Sequence, residues 1–293
     1  MFIEEFIIGL LLIIVIIKVK MVSKNLGRIM RRGRAMFLAY DQGLEHGPDS
    51  DFDDRNVDPL FIINIAKKGG YTGVVFHKGI AERYGEEIEK SGVPLIIKLN
   101  GRTGLRKGEP ISKPVCSVEE AKALGAVAVG YTLYIGSAFE GEMFGDFDEI
   151  ENDARKLGLP VITWIYPRGN AVKNDVSRKM ISYAARTGLE LGADMVKLKY
   201  GGNIDDLRWA VESAGRCKVV VAGGVKKGDK AFLKQVREIM DAGCVGLAVG
   251  RNVWQNEDPL KISEEIRKII FGRSKLKDSK KVKVGKRRDK KIK

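Results

Sequence analysis

Three lysines, Lys98, Lys197 and Lys199, fall inside short apolar runs that read as β-strands, although lysine is seldom buried. In the run Asp194–Tyr200, Met195, Lys197 and Lys199 share one face, because side chains along a strand alternate with a period of two. Two ammonium groups on one face repel, and burial disfavours each charge. Both effects lower a lysine pKa. A neutral amine is the nucleophile that forms a Schiff base with a ketone. The same placement also suits structural ion pairs with carboxylates, and spacing alone leaves both readings open. Trp164 and Tyr166 share a face at the end of another run. There a phenol can donate or accept a proton, or the two rings can serve packing. Two turns, Ala222-Gly223-Gly224 and Gly250-Arg251-Asn252, close two later runs. Glycine lets a phosphate approach the backbone N–H groups, and Arg251 adds a charge-assisted contact. Only two histidines occur, His46 and His77. A catalytic zinc site built on two or three His ligands is therefore not expected, and neither a metal nor a cofactor is assigned.

The elements that must position these groups alternate along the chain. Candidate strands are Ala35–Asp41, Gly73–His77, Pro94–Leu99, Ala126–Tyr131, Pro160–Tyr166, Asp194–Tyr200, Lys218–Ala222 and Val245–Gly250. Helical patterns lie between them at Pro59–Lys68, Val118–Leu124, Phe147–Leu157, Arg178–Leu191, Asp205–Ala214, Lys230–Ala242 and Pro259–Phe271. Several of these end in glycine, the residue that supplies a left-handed helix stop. Eight strand–helix units in about 250 residues predict an α/β fold, a single-domain (β/α)8 TIM barrel over residues 21–272. A doubly wound sheet would open with a GxGxxG turn, and Asp41-Gln42-Gly43-Leu44-Glu45-His46-Gly47 is not one. In a barrel the chemistry sits at the C-terminal ends of the strands, which here are rich in Lys, Asp, Tyr and Gly.

Composition excludes a largely disordered chain: 44% of the 293 residues are hydrophobic and 31% are charged. Three cysteines are too few for a disulfide framework and fit reduced thiols in a cytoplasmic protein. The net charge of +14 is uneven. Residues 273–293 carry a net +10, and the rest of the chain only +4. Such a basic block reads as a solvated tail, with nucleic-acid or membrane contact as its alternatives. At the other end, Phe6–Ile17 is a twelve-residue apolar run preceded by Glu4 and Glu5. As a helix it would span ~18 Å, short of the ~30 Å hydrocarbon core of a bilayer. The favoured expectation is that residues 1–20 precede a true start at Met21; the rival is a short membrane-associating anchor.

The strand ends carry a further signal. LAYDQGLEHGP, HKGIAE, LIIKLNGRT, VGYTLYIGS, WIYPRG, LGADMVKLKY, AGGVK and AVGRNVWQ, in this order over about Gly27–Gly272, resemble the archaeal-type class I fructose-1,6-bisphosphate aldolases of the DhnA type (the DeoC/FbaB aldolases). The resemblance implies a metal-independent lyase that cleaves fructose 1,6-bisphosphate through a Schiff base, in glycolysis or gluconeogenesis. It implies Lys197 as the nucleophile, Tyr166 as the proton-transfer group, and Trp164 and Asp41 beside them. It places His46 near the substrate and phosphate on Gly223, Gly224, Gly250 and Arg251. Lys199, nearer the mouth, is expected to stay charged, to hold a substrate oxygen and to depress Lys197 further. The partners so implied are a phosphorylated ketose and further copies of the chain in a homo-oligomer. Gln42 stands where the family often has His, and Val225 where it often has Pro. Two other functions stay open at this point. One is the related transaldol enzyme 2-amino-3,7-dideoxy-D-threo-hept-6-ulosonate synthase. The other is a non-enzymatic polyanion-binding protein acting through the basic tail.

Overall fold

A computed structural model describes residues 26–272. The N-terminal extension 1–20 and the basic segment 273–293 lie outside the described residues. Eight parallel strands close into a barrel in chain order: β1 (Ala35–Ala39), β2 (Gly73–Phe76), β3 (Leu95–Lys98), β4 (Ala128–Leu133), β5 (Val161–Ile165), β6 (Met195–Leu198), β7 (Lys218–Ala222) and β8 (Gly246–Val249). The last strand pairs with the first, Ala35 opposite Gly246 and Leu38 opposite Val249. This is the expected (β/α)8 barrel.

The period of two divides each strand between two cores. Ala35, Phe37 and Ala39 cluster with Val75, Ile96, Ala128, Ile162, Met195, Val220 and Ala248 inside the barrel. Met36, Leu38, Val74, Phe76, Ile97 and Val129 pack instead against the helices. The strands are apolar on both faces because both faces are covered, as parallel sheets require. Local signals start and stop the helices. Asp58 caps Pro59–Gly69 by accepting from the Leu60 N–H, and left-handed Gly70 ends it. Ser117 and Glu120 form a reciprocal capping box on Val118–Ala123. At the N-terminal end of the barrel Ile29 is fully buried, and with Leu26 and Met30 it plugs the interior.

Several boundaries differ from the sequence reading. The fourth strand lies at Ala128–Leu133 rather than Ala126–Tyr131, because the apolar run continues past Tyr131 without punctuation. The sixth ends at Leu198, which leaves Lys199 just beyond it. Helix Glu140–Leu157 begins two turns before Phe147, since Gly141 and Gly145 mask its early pattern. Short helices at Gly43–His46, Lys78–Arg83, Gly85–Ser91 and Arg251–Trp254, and a two-residue ladder pairing Asn100–Gly101 with Lys113–Pro114, were not anticipated. Among the described residues no helix is long and apolar enough to cross a membrane.

Candidate active site

The strand ends open on a cavity of about 470 Å³ at the C-terminal end of the barrel, lined by every site residue expected from sequence. Lys197 faces inward from β6 and is 6% exposed. Its Nζ lies 5.0 Å from the centroid of the Trp164 ring. Lys98, at the end of β3, approaches the same ring at 5.5 Å. Two cations thus share one indole, a favourable contact for each. Trp164 has room there because its indole lies over Gly130 of β4: a Cβ at that position would lie 2.1 Å from the ring.

Asp41 follows β1 and completes the cluster. Lys98 Nζ donates to its Oδ2 at 3.4 Å, and His77 Nε2 donates to its backbone carbonyl at 3.1 Å. Burial works against the Asp41 charge, yet Lys197 and Lys98 hold its carboxyl well below the usual range. Burial, reinforced by Lys98, keeps His77 below its ordinary pKa and therefore neutral at pH 7. Burial brings Lys197 down to about 8, with Asp41 opposing the shift and Lys98 adding to it. One carboxylate faces two amines, and its direct ion pair goes to Lys98. That leaves Lys197 as the amine that can shed its proton.

Lys199 does not supply the charge that depresses Lys197, contrary to the sequence reading. It pairs with Asp175 and lies 5.5 Å from the centroid of the Tyr166 ring. The cation that acts on Lys197 is Lys98. Tyr166 is held protonated, its pKa raised well above 10 by burial and then by Asp41. Beside it, Arg168 donates to Glu45 at 2.9 Å and covers the Tyr134 ring at 5.0 Å.

The two glycine turns meet on the far side of the cavity. Gly224 takes a left-handed φ of 75°, and a Cβ on Gly250 would lie 2.9 Å from the Ala39 carbonyl oxygen. Asn252, 2% exposed, ties the turns together. Its Nδ2 donates to the carbonyls of Gly223 at 3.0 Å and Val225 at 2.9 Å, while its Oδ1 accepts from the Lys227 N–H at 2.8 Å. Arg251 donates to Asp51 at 3.3 Å, and the other oxygen of Asp51 accepts from His46 Nδ1 at 2.5 Å. Asp51 therefore joins two residues expected at the site, and it is itself 6% exposed. Asp51, Asp175, Glu45 and Asn252 were not singled out from sequence. Only Asn252 had a legible signal, its place in the Gly250-Arg251-Asn252 turn.

Residues 35–256 match the DeoC/LacD family of aldolases. The chain belongs to that family. A class 1 fructose-bisphosphate aldolase of Thermoproteus tenax is 49% identical over 257 residues, which cover 87% of this chain and 96% of the relative. One from Halobacterium salinarum is 44% identical over 244 residues, 83% of this chain and 92% of the relative. Among solved structures, an archaeal fructose-1,6-bisphosphate aldolase superposes with a TM-score of 0.81 at 46% identity, covering 86% of this chain and all of the other. In that structure the catalytic lysine is covalently bound to the carbinolamine intermediate of the substrate. In this DeoC/LacD aldolase two buried lysines, Lys98 and Lys197, line the cavity, and Lys197 is the one without a direct ion pair among the described residues. Among the described residues no group of three or more His, Cys, Asp or Glu is placed to hold a metal ion.

Proposed function

We propose that the protein is a class I fructose-1,6-bisphosphate aldolase, working reversibly through a Schiff base on Lys197. The observation that carries this reading is a lysine buried at the cavity floor whose pKa falls to about 8. At pH 7 roughly a tenth of such an amine is neutral, against ~0.03% for an ordinary lysine.

Neutral Lys197 attacks the C2 ketone, and the carbinolamine loses water to give an iminium. The iminium accepts the electron pair of the C3–C4 bond as the C4 hydroxyl loses its proton and glyceraldehyde 3-phosphate leaves. The enamine left behind takes a proton at C3, and hydrolysis frees dihydroxyacetone phosphate and Lys197. Tyr166, held protonated, is the donor at C3; such assistance contributes ~10²–10⁴-fold. Asp41, held ionised, accepts hydrogen bonds from the sugar hydroxyls and balances the iminium charge. Trp164 gives the cation a π-face. Gly223, Gly224, Gly250 and Arg251 receive one phosphate, with His46 beside them, and Lys199 holds a substrate oxygen. Phosphate sites at the seventh and eighth strands are common in barrels.

The reading extends to a cytoplasmic homo-oligomer. Three buried, unpaired cysteines fit a reducing compartment. Tyr183 and Trp209, 62% and 45% exposed on adjacent helices, offer apolar surface for a second copy. The test of the activity is an assay that offers fructose 1,6-bisphosphate and the deoxy-ketose phosphate of the transaldol reaction in parallel, each with and without EDTA. Triose phosphates formed from the bisphosphate at an unchanged rate in EDTA support the reading. Turnover of only the deoxy sugar, or activity lost to EDTA and restored by zinc, contradicts it.

A further inference from the structure

We infer that the N-terminal end of the barrel is a docking face for an anionic lipid surface, with the catalytic mouth turned away from it. Both flanking segments join the fold at that end. Leu26 enters beside the plug formed by Ile29 and Met30. The last helix, Pro259–Phe271, returns to the same place, where Phe271 lies under the Arg31 guanidinium at 4.1 Å. The segment ahead of Leu26 contains the apolar run Phe6–Ile17. The segment after Gly272 holds twelve Lys and Arg against two Asp.

The folded surface between these two attachment points is itself basic. A cavity of about 350 Å³ is lined by Arg31, Arg32, Arg267, Lys268, Phe271 and Gly272, with no carboxylate among its lining residues. Lys268 pairs with Glu264 and Glu265. Arg31, Arg32 and Arg267 are exposed, and no ion pair engages them among the described residues. Arg32 takes a φ of 52°, the only positive value outside glycine among those residues. That conformation is disfavoured for a side-chain-bearing residue; here the flanking Arg31–Arg34 bridge accompanies it. Barrel topology adds to the charge. The barrel helices run back against the strands and end on this side, where the helix dipole favours cations; Lys67, Lys68 and Lys122 occupy such last turns, while Arg178–Glu190, Ile204–Ser213 and Asp229–Asp241 carry no basic residue there.

The chemistry of the flanking segments selects lipid over nucleic acid. The tail 273–293 has no aromatic ring to stack on bases, and an apolar run has no role in holding phosphates. A twelve-residue run is too short to span a bilayer and makes one weak membrane signal; stable attachment takes two, commonly an apolar group plus a polybasic patch. With the basic end on the membrane, the 470 Å³ cavity at the other end stays open to a soluble substrate.

The test is co-sedimentation of the full chain with vesicles of phosphatidylcholine, with or without an anionic phospholipid. The companion variant carries Arg31→Glu, Arg32→Glu and Arg267→Glu and keeps both termini; its aldol cleavage in solution serves as the folding control. The full chain should bind the anionic vesicles, release in high salt, and cleave substrate at its free rate while bound. Each basic residue near such a surface is worth roughly fivefold in partition, so the variant should bind at least about tenfold more weakly. Should the variant prove unfolded, the full chain without residues 1–20 replaces it and should bind the anionic vesicles more weakly. No binding to anionic vesicles overturns the proposal. So does binding that a folded charge-reversed variant retains in full, or a salt-sensitive RNA complex formed in place of vesicle binding. Aldolase activity without vesicles is a separate readout, so loss of docking and loss of catalysis are distinguishable.

Discussion

The two ends of this barrel treat cations in opposite ways. At the C-terminal mouth Lys98 and Lys197 are buried, share one indole and face one carboxylate, Asp41. At the N-terminal base Arg31, Arg32 and Arg267 are exposed and have no ion-pair partner among the described residues. Charge removed from water is forced to interact, and the interaction shifts pKa values toward chemistry. Charge left in water acts only through long-range attraction, which salt screens. Basic side chains are therefore proposed to supply a nucleophile at one end, as Lys197, and an electrostatic surface at the other, as Arg31, Arg32 and Arg267, and burial makes the difference.

The sharpest way to break the comparison is to remove the buried lysine proposed as the nucleophile. Lys197→Ala should lower aldol cleavage by about 10⁴-fold or more, measured as triose phosphate release. Tyr166→Phe should cost ~10²–10⁴-fold in turnover while still forming the Schiff base, a split that single-turnover kinetics reads directly. Lys98→Met tests the electrostatic half of the account. Removing a neighbouring cation favours the Lys197 ammonium, and freeing Asp41 acts in the same direction, so the Lys197 pKa rises. The acid limb of kcat/KM, expected near pH 8 in the unmodified enzyme, should move to higher pH. Activity at pH 7 should fall about tenfold and recover on the alkaline side. A limb that stays in place would show that Lys98 does not tune Lys197. Asn252→Ala unties the two glycine turns proposed to hold a phosphate and should raise KM for the bisphosphate several-fold with a smaller change in kcat. Deleting residues 1–20 and 274–293 should change solution kinetics least, because the described fold that holds the mouth begins at Leu26 and ends at Gly272, on the side away from the cavity.

What sequence made legible follows from range. Lys197, Lys199, Trp164 and Tyr166 could be placed on strand faces because alternation is a local property. The glycine turns could be placed because glycine marks close approach. The partners that define the site are distant in the chain. Lys98 lies 57 residues from Asp41, Arg168 lies 123 from Glu45, and Arg251 lies 200 from Asp51. Only barrel closure brings them together, and no local pattern announces it. That is why the depressing charge was assigned to Lys199, two residues from Lys197, instead of Lys98 across the barrel. The short helices Gly43–His46 and Arg251–Trp254 escaped for a related reason: one turn is too short to display a 3.6-residue period.

The measurement closest to the central claim is borohydride reduction of the enzyme in the presence of dihydroxyacetone phosphate, followed by peptide mapping of the unmodified protein and of Lys199→Ala. The account predicts one adduct, on Lys197, in both proteins, with weaker turnover in the variant. An adduct on Lys199 or on Lys98 would contradict the assignment of the nucleophile, and no adduct at all would contradict Schiff-base chemistry in this barrel.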